Sequence, residues 1–230
     1  MGRAMLSGNP PVEITLRRSA RARRVSLRVS GLDGKVTLSM PQRMKTAEAL
    51  AFAEEKADWI RRHLAKQVDH IAPGIGATVL LRGQEVPIVA GAVKRAQFKE
   101  GALWVPAAPD MAASRVKAFL KLAARDDLSA ACMRYAAALG RSYGRVTLRD
   151  TRSRWGSCSS AGNLMFSWRL IMAPVEVLDY VAAHEVAHLS EMNHSSAFWG
   201  EVERIYPNYG PPRQWLRENG QLLHRYRFDD

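Results

Sequence analysis

The 230-residue chain is poor in cysteine, holding only Cys132 and Cys158. Two thiols can build neither a disulfide framework nor a cysteine metal cluster. They read as reduced, structural thiols in a reducing compartment. Long apolar runs are lacking too. No stretch reaches about 18 uninterrupted apolar residues, so no membrane span is expected. Residues 1–11 contain no apolar core of the kind a secretory signal carries. The expected location is therefore the cytoplasm. Histidine is scarce, with 6 in the chain, so any cluster of histidines is informative. No internal repeat and no low-complexity tract is visible.

What is present is an ordinary globular composition, 47% hydrophobic and 24% charged. The length allows one large domain or two small ones, with a real core and no covalent staples. The net charge of +12 is unevenly spread. Residues 1–105 carry 18 Lys+Arg against 9 Asp+Glu, and residues 106–230 carry 16 against 13. The densest cluster is Arg17, Arg18, Arg21, Arg23 and Arg24. It fits weak, non-specific nucleic-acid binding. It fits equally a solvated edge strand whose charge discourages pairing.

Residues 13–106 read mainly as strands. Val25, Leu27 and Val29 alternate with polar residues, a Gly31-to-Gly34 turn follows, and Val36, Leu38 and Met40 alternate again, which is a hairpin pattern. Thr46 is the expected N-cap of a helix running to about Gln67. Two more strand pairs are expected, around 78–89 and 96–105. Residues 110–140 read as a helix closed by Gly140. Residues 143–150 look like a strand, with 163–172 as its antiparallel partner. Pro174 then opens a helix at its first turn, and short helices are expected from Ser195 and Pro211. The expected class is α+β. A strand-rich, basic region spans 1–106. A second α+β part spans 107–230, its central helix packed on a small antiparallel sheet.

The helix after Pro174 contains His184-Glu185-Val186-Ala187-His188, an H-E-x-x-H motif. Histidines four residues apart sit one turn apart on one face, so both rings can reach one ion. Glu185 falls on the adjoining face, where it can take a proton from a water activated by the metal. With 6 His and 12 Glu in the chain, composition alone predicts the motif about 0.008 times. A catalytic Zn2+ takes a third protein ligand. His194 is favoured, with Asn193 able to turn the chain in a left-handed conformation. Glu201, Glu203 and His224 are the rivals. The spacing H-E-x-x-H-x5-H resembles that of the metzincins, except that Glu191 stands where they have glycine.

A closer resemblance covers about residues 140–225. The stretches Arg154-Trp155-Gly156-Ser157-Cys158-Ser159, Asn163 through Leu170, His184 through His188, Asn193-His194-Ser195 and Phe198-Trp199 resemble the YgjP-like metallopeptidase domain family, which is related to SprT-like and WLM zinc metalloproteases. The resemblance implies His184, His188 and His194 as metal ligands and Glu185 as the catalytic residue.

Tyr180, Tyr206 and Tyr209 are candidates for donating to an oxyanion. Arg152 and Arg154 could hold a substrate carboxylate or phosphate. Cys158 and the tryptophans read as packing. The expected function is peptide-bond hydrolysis of a protein or peptide substrate by a zincin-like metallohydrolase domain spanning 107–230. Two alternatives remain: a metal-dependent phosphohydrolase acting on nucleotides through the same site, and a non-enzymatic nucleic-acid binder with a structural zinc.

Overall fold

The computed structural model describes residues 2–31, 33–65 and 70–228. The chain divides into two compact units, Met1–Asp69 and His70–Asp230. In the first, β1 (Gly2–Leu6), β2 (Val12–Ser19), β3 (Ser26–Val29) and β4 (Val36–Pro41) form a sheet in the order β1-β2-β4-β3. β3 and β4 are the expected antiparallel hairpin, whereas β2 and β4 run parallel. Val12, Ile14, Val36, Leu38 and Met40 share one face of the sheet. They are buried with Ala49, Ala53, Ala57 and Ile60 of α1 (Thr46–Glu55) and α2 (Ala57–Leu64).

The single helix expected over 46–67 is therefore two, parted at Lys56. Gln67 lies outside the described residues. Thr46 is the first helical residue and not the cap, a position held by Lys45 without a side-chain bond. The Thr46 hydroxyl instead accepts from the Arg18 guanidinium at 3.0 Å, and the same group donates to the carbonyls of Gln42 and Met44 at 2.7 and 2.8 Å.

The second unit opens with β5 (Thr78–Leu81), β6 (Gln84–Gly91), β7 (Gln97–Lys99) and β8 (Ala102–Pro106), in the order β5-β6-β8-β7. The boundary expected at 106/107 falls inside this unit. Val79, Leu81, Val86, Ile88, Leu103 and Val105 share one hydrophobic core with Val116, Leu120 and Leu128 of α3 (Pro109–Leu139). The hairpin tip adds polar ties. Arg82 and Gly83 take positive φ angles of 50° and 81°, the twist a two-residue hairpin requires. A Cβ on Gly83 would sit 3.0 Å from Pro174, so glycine lets the tip lie against the residue that caps the helix Val175–Ala187. The Arg82 and Gly83 amides donate to Ile171 and Met172, and the Arg82 side chain pairs with Asp127 at 2.8 Å.

After α3, closed by Gly140 in the left-handed conformation, come β9 (Val146–Arg149), β10 (Gly156–Cys158) and β11 (Leu164–Ser167). They form a mixed sheet with β11 central, antiparallel to β10 and parallel to β9. The expected antiparallel pairing of 143–150 with 163–172 is replaced because β10 supplies the return strand. A 3-10 helix, Trp168–Met172, then leads into α4 (Val175–Ala187). α5 (Ser196–Ile205) and α6 (Gly210–Asn219) follow, then a second 3-10 helix, Gly220–His224. No helix among the described residues is long and apolar enough to cross a membrane.

A buried cation ties the sheet to the chain's last segment. The Arg169 guanidinium grips Asp150 through two hydrogen bonds, of 2.7 and 3.1 Å, and donates to the carbonyls of Leu223 and Tyr226. Burial disfavours the Asp150 carboxylate, but the Arg169 pairing overrides it and holds its pKa below the usual range.

Candidate metal centre

α4 is rich in Ala and Val, with Val177, Val181, Ala182, Ala183, Val186 and Ala187 all buried. A helix buried nearly all round is held by its neighbours, here α3, α5, α6 and β10. His184 and Glu185 lie in its last turn, and His188 is the residue at which it ends. The chain then turns back through amides of Leu189, Ser190 and Glu191 bonded to Val186 and Ala187. Asn193 does not take the expected left-handed conformation. Its side chain accepts from the Ser195 amide at 3.0 Å, while the Ser195 hydroxyl caps α5 by accepting from the Phe198 amide at 3.3 Å. These two bonds flank His194 and fix the loop that carries it.

One ring nitrogen from each of His184, His188 and His194 lies within 4.8 Å of the other two. His184 Nε2 and His194 Nε2 stand 3.1 Å apart, near the roughly 3.3 Å that two Zn–N bonds at a tetrahedral angle would set. His188 Nδ1 lies 2.9 Å from the Glu191 carbonyl. A bond there places the proton on Nδ1 and leaves the Nε2 lone pair for an ion. Burial pushes the His184 pKa down to about 3 and that of His188 down as well. Neutral imidazoles are the form a metal needs. Three imidazole donors, two of them held neutral by burial, fit a zinc-type ion.

One phenyl ring underlies all three. Phe198, fully buried, has its centroid 4.9, 4.4 and 4.8 Å from those of His184, His188 and His194. His184 Nδ1 is buried with no hydrogen-bond partner among the described residues. Packing against Phe198, Tyr180 and Trp199 orients that ring.

Glu185 is buried in the same cleft, a cavity of about 670 Å³ also lined by Arg154, Trp155, Gly156, Cys158 and Tyr180. Its carboxyl lies against β10, where a Cβ on Gly156 would fall 2.5 Å from both Cγ and Oε1. Burial raises its pKa to about 8, opposed by the Arg154 charge and a hydrogen bond from the Cys158 backbone. A carboxyl tuned toward neutral pH is suited to general acid–base work.

A family model described as YgjP-like, metallopeptidase domain, matches residues 23–219. The chain belongs to that family. The match crosses the junction between the two compact units. A comparison with curated proteins finds no match. Among solved structures, the crystal structure of the metallopeptidase zymogen of Pyrococcus abyssi abylysin is similar at 24% identity, over 41% of this chain and 94% of that one, with a TM-score of 0.37. Family membership makes the chain a metal-dependent peptidase by class.

The other sequence candidates divide cleanly. Glu201 is engaged by Arg204 at 2.6 Å, Glu203 is exposed, and His224 packs on Trp155 at 5.2 Å, so none joins the three histidines. Tyr180 lines the cleft. The Tyr206 hydroxyl donates to the Glu176 carbonyl, and Tyr209 stacks between Trp199 and Tyr180. Arg154 lines the cleft; Arg152 does not. Cys158 is half-buried in the cleft wall, so it does more than fill the core. Sequence reasoning missed Phe198 and Gly156 as site residues. Both stood inside recognisable motifs, but a phenyl and a glycine carry no chemical signature of a ligand sphere.

Proposed function

We propose that the chain is a zinc-dependent peptidase in which His184, His188 and His194 hold the ion and Glu185 is the general base. The observation that carries this reading is the three-nitrogen cluster beside a buried carboxyl in one cleft. Bound zinc would supply Lewis acidity, lowering the pKa of water and polarising a substrate carbonyl. Glu185 accepts the proton of the attacking water and returns it to the leaving amine. The Cys158 amide donates to its carboxylate, and the Arg154 charge favours the ionised form. Tyr180 is the hydroxyl best situated to donate to a developing oxyanion. Arg154 is the cleft cation suited to a substrate carboxylate.

The test combines metal analysis of untagged protein with an assay on unfolded protein substrates, with and without chelator. About one zinc per chain is expected. Glu185→Gln keeps the metal and lowers turnover at least ~100-fold. His194→Ala loses metal and activity together, whereas Glu201→Ala and Glu203→Ala keep both. Retention of metal by His194→Ala, or normal turnover by Glu185→Gln, refutes the assignment.

A further inference from the structure

The open face of the first sheet is a second, chemically distinct surface. Strand alternation puts Val12, Ile14, Leu38 and Met40 on the helix side. The opposite side carries Arg3 from β1, Glu13, Thr15, Arg17 and Ser19 from β2, Thr37 and Ser39 from β4, and Ser26 and Arg28 from β3. Register aligns Arg17, Ser39 and Ser26 in one cross-strand row and Thr15, Thr37 and Arg28 in the next. Arg3, Arg17 and Arg28 are exposed. Arg3 is occupied by the one carboxylate on this face, Glu13, at 3.0 Å. Arg17 and Arg28 have no ion-pair partner among the described residues. Standard strand spacing sets these two roughly 12 Å apart, far enough to meet two separate anions.

The topology gathers further cations at one end of this face. β2 and β4 are parallel and β3 is antiparallel to β4. The C-terminal ends of β2 and β4 and the N-terminal end of β3 therefore coincide. The link from β2 to β3, carrying Arg21, Arg23 and Arg24, and the exit of β4, with Arg43 and Lys45, lie at that same end. From Thr15 to Arg28 there are six arginines and no acidic residue. One of the six is spoken for, since Arg18 holds the entry to α1. The other five are exposed.

We infer that this arginine- and hydroxyl-bearing sheet face, with its basic end, is a docking surface for the phosphate backbone of duplex nucleic acid. Unpaired guanidiniums and hydroxyl donors together match phosphate oxygens. The face carries no aromatic residue, so it has no platform for stacking unpaired bases, the usual anchor of single-strand binders. Met5 is its one large apolar group among the described residues. A membrane-surface binder would need more apolar area to insert beside its charge. Contacts to phosphate alone make the binding indifferent to sequence. The inference is independent of the peptidase reading.

The test is fluorescence anisotropy of the full chain with a labelled 20-base-pair duplex across a salt series. It compares wild type with Arg17→Gln/Arg28→Gln, Arg17→Lys/Arg28→Lys, and Lys121→Gln/Arg125→Gln, which removes equal charge from exposed positions on α3. On duplex DNA each phosphate contributes about −0.9 to the log–log salt slope. The glutamine pair on the face is expected to flatten the slope by about 1.8. Wild type then loses about 12-fold more affinity than this variant for a fourfold rise in salt. The lysine pair and the α3 pair keep the wild-type slope. A single strand of the same sequence binds no tighter than the duplex. Thermal unfolding confirms that each variant is folded; if the glutamine pair unfolds the sheet, Arg21→Gln/Arg23→Gln, in the exposed link between β2 and β3, carries the comparison with the same expected flattening. The inference is overturned by absence of wild-type binding at low salt or by equal losses from the face and α3 variants. It is also overturned by tighter binding of the single strand, or by phosphatidylserine vesicles cosedimenting with a chain that ignores the duplex.

Discussion

At the scale of single residues, the site depends on what is absent from position 156 as much as on what is present at 185. The carboxyl of Glu185 occupies the space where a side chain on Gly156 would stand. Gly156→Ala brings a methyl group within 2.5 Å of the carboxyl, closer than packed atoms approach, so the carboxyl must swing away. The three histidines are not touched by this change. The expected outcome is zinc content near wild type with turnover reduced at least ~10-fold, on the scale of partial loss of a positioned general base. Metal analysis and a peptidase assay on one preparation check it. An equal fall in both quantities would show that the strand itself had collapsed. The chemically marked residues were legible because spacing carries geometry: His184 and His188 one turn apart, with Glu185 beside them. Gly156 was not, since a glycine that makes room for a carboxyl looks in sequence like any turn glycine.

At the scale of elements, α4 and the residue that ends it supply two of the clustered histidines and the loop after it the third, but α5 makes them a set. Phe198, on the first turn of α5, touches all three imidazoles. Phe198→Ala should cost about 3–5 kcal/mol of stability, the usual range for emptying a buried phenyl site. Phe198→Leu should cost less and still leave the rings less well held. For the leucine variant, zinc affinity is expected to fall about 10–100-fold, the range seen when supporting residues around a metal are changed. Competition with a chromogenic chelator measures it, and unchanged affinity would reduce Phe198 to ordinary packing. Most helices were legible because their apolar spacing or capping residues are local. The parallel pairing of β9 with β11 and the seating of the hairpin Arg82-Gly83 on Pro174 were not, because each depends on residues elsewhere in the chain.

At the scale of the whole molecule, charge and titration set how the protein responds to its surroundings. His224 is buried on Trp155. Desolvation, helped by the neighbouring Arg169, lowers its pKa to about 4, with Asp150 opposing and Arg152 and Arg227 adding to the fall. An unfolded chain protonates a histidine near 6.5. Between about pH 6.5 and 4 the unfolded state therefore binds a proton that the folded state refuses, and stability falls as the solution is acidified. His224→Phe keeps a ring against Trp155 and removes the titration. Its deficit in thermal midpoint relative to wild type at pH 7 should shrink or reverse at pH 5; a deficit independent of pH would exclude the mechanism. The uneven charge was legible in the sequence, but its sorting was not. Arg18 reads like its neighbours in the run, and only the fold distinguishes an arginine that holds a helix entry from those left facing solvent.

The shared phenyl floor also imposes an order in time. A chain that has emerged from the ribosome as far as His194 already contains all three imidazoles and the carboxylate. It lacks the ring on which they rest and the first turn that positions that ring. Until α5 winds, the three imidazoles lack the buried ring that all of them contact. On the proposed reading, the metal site is complete only once the segment beyond it has folded back.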